Sequence, residues 1–124
     1  MNQLPMSLRT SAGERFYGQM KLSGKLVPLA DEPSITEWEH WRLIDNRFPY
    51  AVALRKHHLL LPKRVVADRL DLTEDERTEL VWLLRQLSDD YDFVMENFPK
   101  RRSILSHYHL HLGEYYVHRE DMKL

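Results

Sequence analysis

The chain contains no cysteine. That excludes disulfides and thiolate metal sites, and it removes cysteine usage as a guide to redox compartment. No apolar run approaches the ~20 residues that a helix needs to cross a bilayer. The opening stretch MNQLPMSLRTSAGERF lacks the apolar core of a signal peptide. A soluble, cytoplasmic protein without a membrane partner is the expectation. Charge of one sign is also missing: 18 Lys and Arg face 19 Asp and Glu, for a net charge of −1. Such a balance does not predict a nucleic-acid partner. Glycine is scarce, with four in all, and three of them (Gly13, Gly18, Gly24) fall within residues 1–33. What is present is a 43% hydrophobic content spread over 124 residues, enough for the core of one domain.

The glycines, together with Pro5, Pro28 and Pro33, mark residues 1–33 as an irregular N-terminal segment. Within it, FYGQMKLSGKLVPL has room for one or two short strands. Residues 34–124 read as the folded domain. EWEHWRLID alternates as a strand, and NRFPY supplies a proline turn. AVALRKHHLLLP reads as two strands or one bent strand, and KRVVADRLDL as a connection with a short helical turn. Thr73 and Glu76 form a capping-box pattern, with Glu74 and Asp75 at the positive end of the helix dipole. Leu80, Leu84, Leu87, Tyr91, Val94 and Phe98 then follow one helical face. This predicts a long helix over 74–97, stopped by Pro99. Another strand can follow Gly113, in EYYVHRE. Strands, one long helix and further strands make an α+β pattern, most simply an antiparallel sheet with the helix on one face.

The strongest chemical signal is SILSHYHLHLG. His107, His109 and His111 occupy alternate positions, with Tyr108, Leu110 and Leu112 between them. On a strand the three imidazoles share one face and the apolar residues the other. Three readings stand beside one another. The first is ordinary polar surface. The second is a metal site: neighbouring His at i, i+2 have Cα atoms about 7 Å apart, but the outer pair is about 13 Å apart, so further ligands would have to come from elsewhere. The third is phosphoryl or nucleotidyl transfer, in which one imidazole attacks phosphorus and its neighbours donate to the non-bridging oxygens.

HYHLHLG resembles the His-x-His-x-His pattern of the histidine-triad (HIT) superfamily. IDNRFPYAVALRKHHLLLPKR is similar to the segment of that family in which an Asn- or Asp-containing strand leads to His, three apolar residues, Pro and Lys. DLTEDERTELVWLLRQL resembles its central helix. The resemblance spans roughly residues 38–113. It implies an α+β fold with a five-stranded antiparallel sheet and a long helix, usually in a two-fold dimer. It implies a nucleotide or nucleotide conjugate as ligand and no cofactor. It also implies a covalent nucleotidyl-histidine on His109, with His107 orienting the site and His111 holding phosphate oxygens. His57 matches the additional upstream His, with His58 as the alternative if the register differs. Asp45 and Asn46 fall where the family contacts the ribose, and Asn97 where an Asn approaches the phosphate. His111 stands where the nucleotidyltransferase branch commonly has Gln, which favours hydrolysis.

The chain departs from that pattern in NFPKRRSILSH, where the family usually has a Gly-rich segment ending in Gly-Gln-Ser. Ser103 or Ser106 is then the candidate for the leaving-group serine. Lys100, Arg101 and Arg102 read either as phosphate-binding charge or as a solvated loop. The usual His after Pro-Lys-Arg is Val65. The expected activity is a nucleotide phosphoramidase or dinucleoside polyphosphate hydrolase. The alternatives are a non-catalytic nucleotide-binding module on the same fold, or a histidine metal site.

Overall fold

A computed structural model describes residues 4–124. Strands β1 (Ser34–Glu37), β2 (Trp41–Asp45), β3 (Leu54–Pro62), β4 (Phe93–Met95) and β5 (Leu110–Tyr115) form one sheet in the order β1-β2-β3-β5-β4. Every pairing is antiparallel. Helices α1 (Ser11–Leu22) and α2 (Glu74–Leu87) complete the α+β fold. Among the described residues, no helix is long and apolar enough to cross a membrane.

The sheet is covered on both faces, which is why β2 is buried at four consecutive positions. On one face Trp41, Leu43, Leu60, Tyr108, Leu110 and Leu112 pack with Leu83, and Leu80, Leu84 and Leu87 close over them. The other face places Ile44, Leu59 and Leu61 against Leu29 and Ile104. Arg42 is buried on that second face because it donates to the carbonyls of Leu29, Ala30 and Glu32, fastening the N-terminal segment to the sheet.

The capping box of α2 is formed as expected. Glu76 N–H donates to Thr73 Oγ1 at 3.1 Å, and Thr73 N–H donates to Glu76 Oε1 at 2.7 Å. The far end of the helix differs from the expectation of a helix to residue 97. α2 stops at Leu87, and residues 93–95 return as β4 alongside β5. Ser88, Asp89 and Asp90 explain the stop: they are weak helix formers, and the aspartates would sit at the negative end of the dipole. The apolar spacing ran on through Tyr91 because Tyr91 packs on the same core from the turn, with its hydroxyl 2.5 Å from His58 Nδ1. Asn97 therefore lies on the segment after β4, not at a helix end.

Residues 11–22 are a second correction, since they form a helix and not short strands. Thr10 caps it by accepting from Gly13 N–H at 3.0 Å. Gly24, at φ +69°, ends it: Lys25 N–H reaches Met20 O and Gly24 N–H reaches Lys21 O, the paired bonds of a Schellman turn. EWEHWRLID is a hairpin, with Trp38–His40 turning between β1 and β2. Residues 51–62 hold the single strand β3, irregular in register near Leu54.

Gly113 lies inside β5, and the stretch after Tyr115 forms no further strand. A Cβ on Gly113 would stand 2.6 Å from Phe93 Cζ and 2.9 Å from Leu54 Cδ1. Both atoms are the ends of side chains that can give way. Gly113→Ala is therefore expected to lower stability by about 1 kcal/mol, at the small end of overpacking costs. A reduced urea midpoint would show this; an unchanged midpoint would mean that Phe93 swings aside freely.

Candidate functional site

The register of β3 decides which upstream histidine faces the triad. His57, Leu59 and Leu61 share the face covered by the N-terminal segment, while His58 points to the α2 side and meets Tyr91. His57 pairs across the strand with Gly113, and Leu59 with His111. His57 thus faces the triad, against His111, and His58 does not. The triad begins in an extended lead-in and enters β5 at Leu110, so only His111 of the three is within the strand itself. The alternation still holds: Tyr108, Leu110 and Leu112 enter the core under α2, and His107, His109 and His111 line a cavity on the opposite face.

That cavity has a volume of about 340 Å³, within the range of small-molecule sites. Asp45, Asn46, Asn97, Ser103 and Ser106 also line it. His57 lies behind His111 and is buried. Apolar walls come from Leu29, Phe48 and Ile104. Lys100 and Arg101 form an exposed turn outside the cavity, and Arg102 is turned inward to donate to Asn97 O and Ala67 O. The basic run is thus a solvated turn at Lys100 and Arg101 and a structural tie at Arg102. None of the three tryptophans lines the cavity.

Hydrogen bonds fix the tautomers. Tyr50 N–H donates to His57 Nδ1 at 2.9 Å, so the proton of neutral His57 is on Nε2. His57 Nε2 lies 2.8 Å from His111 Nδ1, which must accept it, leaving the His111 proton on Nε2. The Asn97 amide nitrogen Nδ2 donates to the Tyr50 hydroxyl at 2.9 Å and lies 3.3 Å from His111 Nε2. Tyr50 also stacks on His111 at an interplanar angle of 18°. The Asn46 amide rests against the His57 ring, and its oxygen accepts from Phe48 N–H at 2.8 Å.

His109 Nδ1 lies 2.8 Å from the His107 carbonyl, to which it donates. Its Nε2 therefore carries the lone pair. His107 Nε2 donates to Pro62 O at 2.9 Å and ties the lead-in to the end of β3. Burial lowers the pKa of all four imidazoles, to about 3 for His57 and about 2 for His111, so they are neutral at pH 7. The positive charge of Arg9 adds to the lowering at His57 and His111.

The sequence reading did not find Tyr50 or Arg9. Tyr50 stood beside the expected ribose contact, in NRFPY, and a polar aromatic next to a proline turn was the available signal. Arg9 gave none, being a single cation in a segment outside the resemblance. Among the described residues, no group of three or more His, Asp or Glu side chains is placed to hold a metal ion. His57 and His111 direct their facing nitrogens at each other instead.

No protein-family model and no curated protein matches the sequence. Solved structures do match the fold. A hypothetical histidine triad nucleotide-binding protein from Sulfolobus tokodaii superposes with a TM-score of 0.56 at 21% identity, over 80% of this chain and 68% of that one. A histidine triad protein from Clostridium difficile gives 0.53 at 15% identity, over 82% and 92% of the two chains. The chain folds as a HIT-like domain. A HIT family hydrolase from Legionella pneumophila is similar to it in the same way, with a TM-score of 0.51 at 19% identity over 80% of this chain and 92% of the other. The HIT-like fold accounts for the order of strands, helix and triad.

Proposed function

We propose that this HIT-like domain binds a nucleotide conjugate and hydrolyses it at the α-phosphate through a covalent nucleotidyl-His109. One observation carries the reading: His109 donates its Nδ1 proton to the His107 carbonyl and so keeps a lone pair on Nε2 at the cavity. Burial keeps the ring neutral and therefore nucleophilic.

In the first step Nε2 bonds to the α-phosphorus, and the bond from phosphorus to the leaving group breaks. The leaving group takes a proton that comes from solvent and is relayed by a hydroxyl at the cavity wall, which is reprotonated in the same step, with Ser103 and Ser106 as candidates. The ring then carries a positive charge, which the His107 carbonyl stabilises through the Nδ1 proton. His111 Nε2–H serves the non-bridging oxygens, held in that tautomer by Tyr50 and His57. In the second step water attacks phosphorus and its proton leaves to solvent by the same relay, the P–Nε2 bond breaks with its electron pair returning to the ring, and the nucleoside monophosphate departs. Asp45, the last residue of β2, and Asn46 beside it line the cavity and are assigned to the sugar, and Asn97 to the phosphate.

A fluorogenic nucleoside phosphoramidate and a dinucleoside polyphosphate test this reading. Release of the nucleoside monophosphate from either supports hydrolysis. Tight nucleotide binding without release would select the binding-module reading, which the glycine-free segment Asn97–Ser106 favours.

We also read the domain as a two-fold dimer through β4. This strand is at the sheet edge, and Val94, Leu70 and Val81 are exposed around it and α2. Sedimentation at micromolar concentration should give twice the mass of 14.9 kDa; a single-chain mass would contradict the dimer.

A further inference from the structure

We propose that Arg9 is a phosphate-binding residue of this site, supplied by the N-terminal segment to an anion at the His111 end of the cavity. This rests on the nucleotide reading above and adds a residue to it. Arg9 lines the same cavity as His109 and His111. Its side chain is only 9% exposed, and it pairs at 3.0 Å with Glu14, which is 7% exposed. Burying such a pair costs desolvation and is a weak source of stability. Its position on a cavity wall gives it a different use.

The guanidinium is aimed and held. Nε donates to Phe48 O at 2.9 Å, Nη1 to Glu14 Oε1 at 3.0 Å and Nη2 to Ser103 Oγ at 3.3 Å. Its carbon lies 4.5 Å from the Tyr17 ring centroid and 5.6 Å from that of Tyr50, which stacks on His111. Glu14 is fixed in turn by Ser7 Oγ, which donates to it at 2.5 Å. A guanidinium has five N–H donors, and three are engaged, so one on each terminal nitrogen is left for a ligand. Two parallel donors on a planar fork suit a phosphate better than a point charge does. Its approach to Tyr50, the ring stacked on His111, places it toward that end of the cavity.

The other cations are less suited. Arg102 is occupied with backbone carbonyls, and Lys100 and Arg101 point to solvent. Arg47 sits at the cavity rim, half exposed and paired with Glu32. Arg9 and Ser103 thus take the place of the glycine-rich cradle that NFPKRRSILSH lacks.

Calorimetric titration with inorganic phosphate, 5′-nucleoside monophosphates and the parent nucleosides tests this on the full chain. Arg9→Met should weaken phosphate and monophosphate binding by about 10- to 100-fold, the worth of a charged hydrogen bond, and leave nucleoside binding unchanged. Arg9→Lys should recover part of the loss. Glu14→Gln removes the clamp but keeps the cation, so it should retain phosphate binding. If Arg9→Met still prefers monophosphate over nucleoside as the wild type does, Arg9 has no such role while the nucleotide reading stands. Equal losses in Arg9→Met and Glu14→Gln, for nucleoside and monophosphate alike, would make Arg9 only a clamp. Binding of inorganic phosphate through Arg9 with no nucleotide binding would sink the nucleotide reading and keep the Arg9 site. Binding of neither by the wild type would overturn both.

Discussion

His109→Ala should lower kcat/KM by about six orders of magnitude, the scale on which removal of a nucleophile acts in covalent catalysis. The loss should fall on kcat, because the side chain acts on phosphorus and not on the base or sugar. Nucleoside monophosphate affinity should change little. His111→Ala should cost less, about 10²–10³ in kcat, the price of one donor to developing negative charge. His107→Ala should cost less again, since the carbonyl that holds His109 belongs to the backbone and survives the substitution. Equal, slow turnover by wild type and His109→Ala would remove the catalytic reading.

The second large effect is on stability in mild acid. His57 and His111 have folded pKa values of about 3 and about 2, lowered from 6.5 first by burial and then by neighbouring positive charge. Above pH 6.5 both states are neutral, and stability is at its full value. Below pH 6.5 the unfolded chain takes up protons that the folded chain refuses, so stability falls and goes on falling toward the folded pKa values. Each site contributes a slope of about 1.4 kcal/mol per pH unit. Two sites over 1.5 units therefore give about 4 kcal/mol, a large share of the 5–15 kcal/mol typical of a domain. His107 and His109 act in the same direction.

The buried carboxylate Glu76 does not confuse this window. Its pKa is lowered to about 2, chiefly by hydrogen bonds from Arg64, so its contribution is complete above pH 4.5 and is lost only below that. Urea midpoints measured between pH 7.5 and 5.0 should fall steeply for the wild type. A variant carrying His57→Gln and His111→Asn should show a shallower dependence. The same slope in both would mean that the pocket opens and protonates its imidazoles without unfolding.

Much of the fold was legible because local and global signals agree. The capping box at Thr73 and Glu76, the alternation through β2, the apolar run of β3 and the alternation of 107–112 each point to the element or face that forms. The misreadings came where one pattern served two structures. Leu80, Leu84, Leu87 and Tyr91 keep helical spacing, yet Tyr91 reaches the core from a turn after the helix has ended. α1 escaped notice because Gly13 and Gly18 weaken its pattern and it buries only Glu14 and Tyr17, though Thr10 and Gly24 were signals for its two ends.

The face that the candidate residues share was legible from the alternation of 107–112 and the run of β3. His107, His109, His111, Asp45, Asn46 and Asn97 line one cavity, together with Ser103 and Ser106, and His57 stands behind them. What sequence could not convey was the hydrogen-bond order. Tyr50 N–H sets His57, His57 sets His111, and the His107 carbonyl sets His109, through contacts that depend on register and on a backbone group carrying no side-chain identity. Arg9 reaches the cavity only because the N-terminal segment folds over that face.

The most direct test of nucleophilic His109 is to mix the protein with a nucleoside phosphoramidate or a dinucleoside polyphosphate, quench in base within the first turnover, and map the adduct by peptide mass spectrometry. The expected result is one nucleotidyl group on His109, absent in His109→Ala. Product formation with no adduct, or an adduct on another residue, would contradict it.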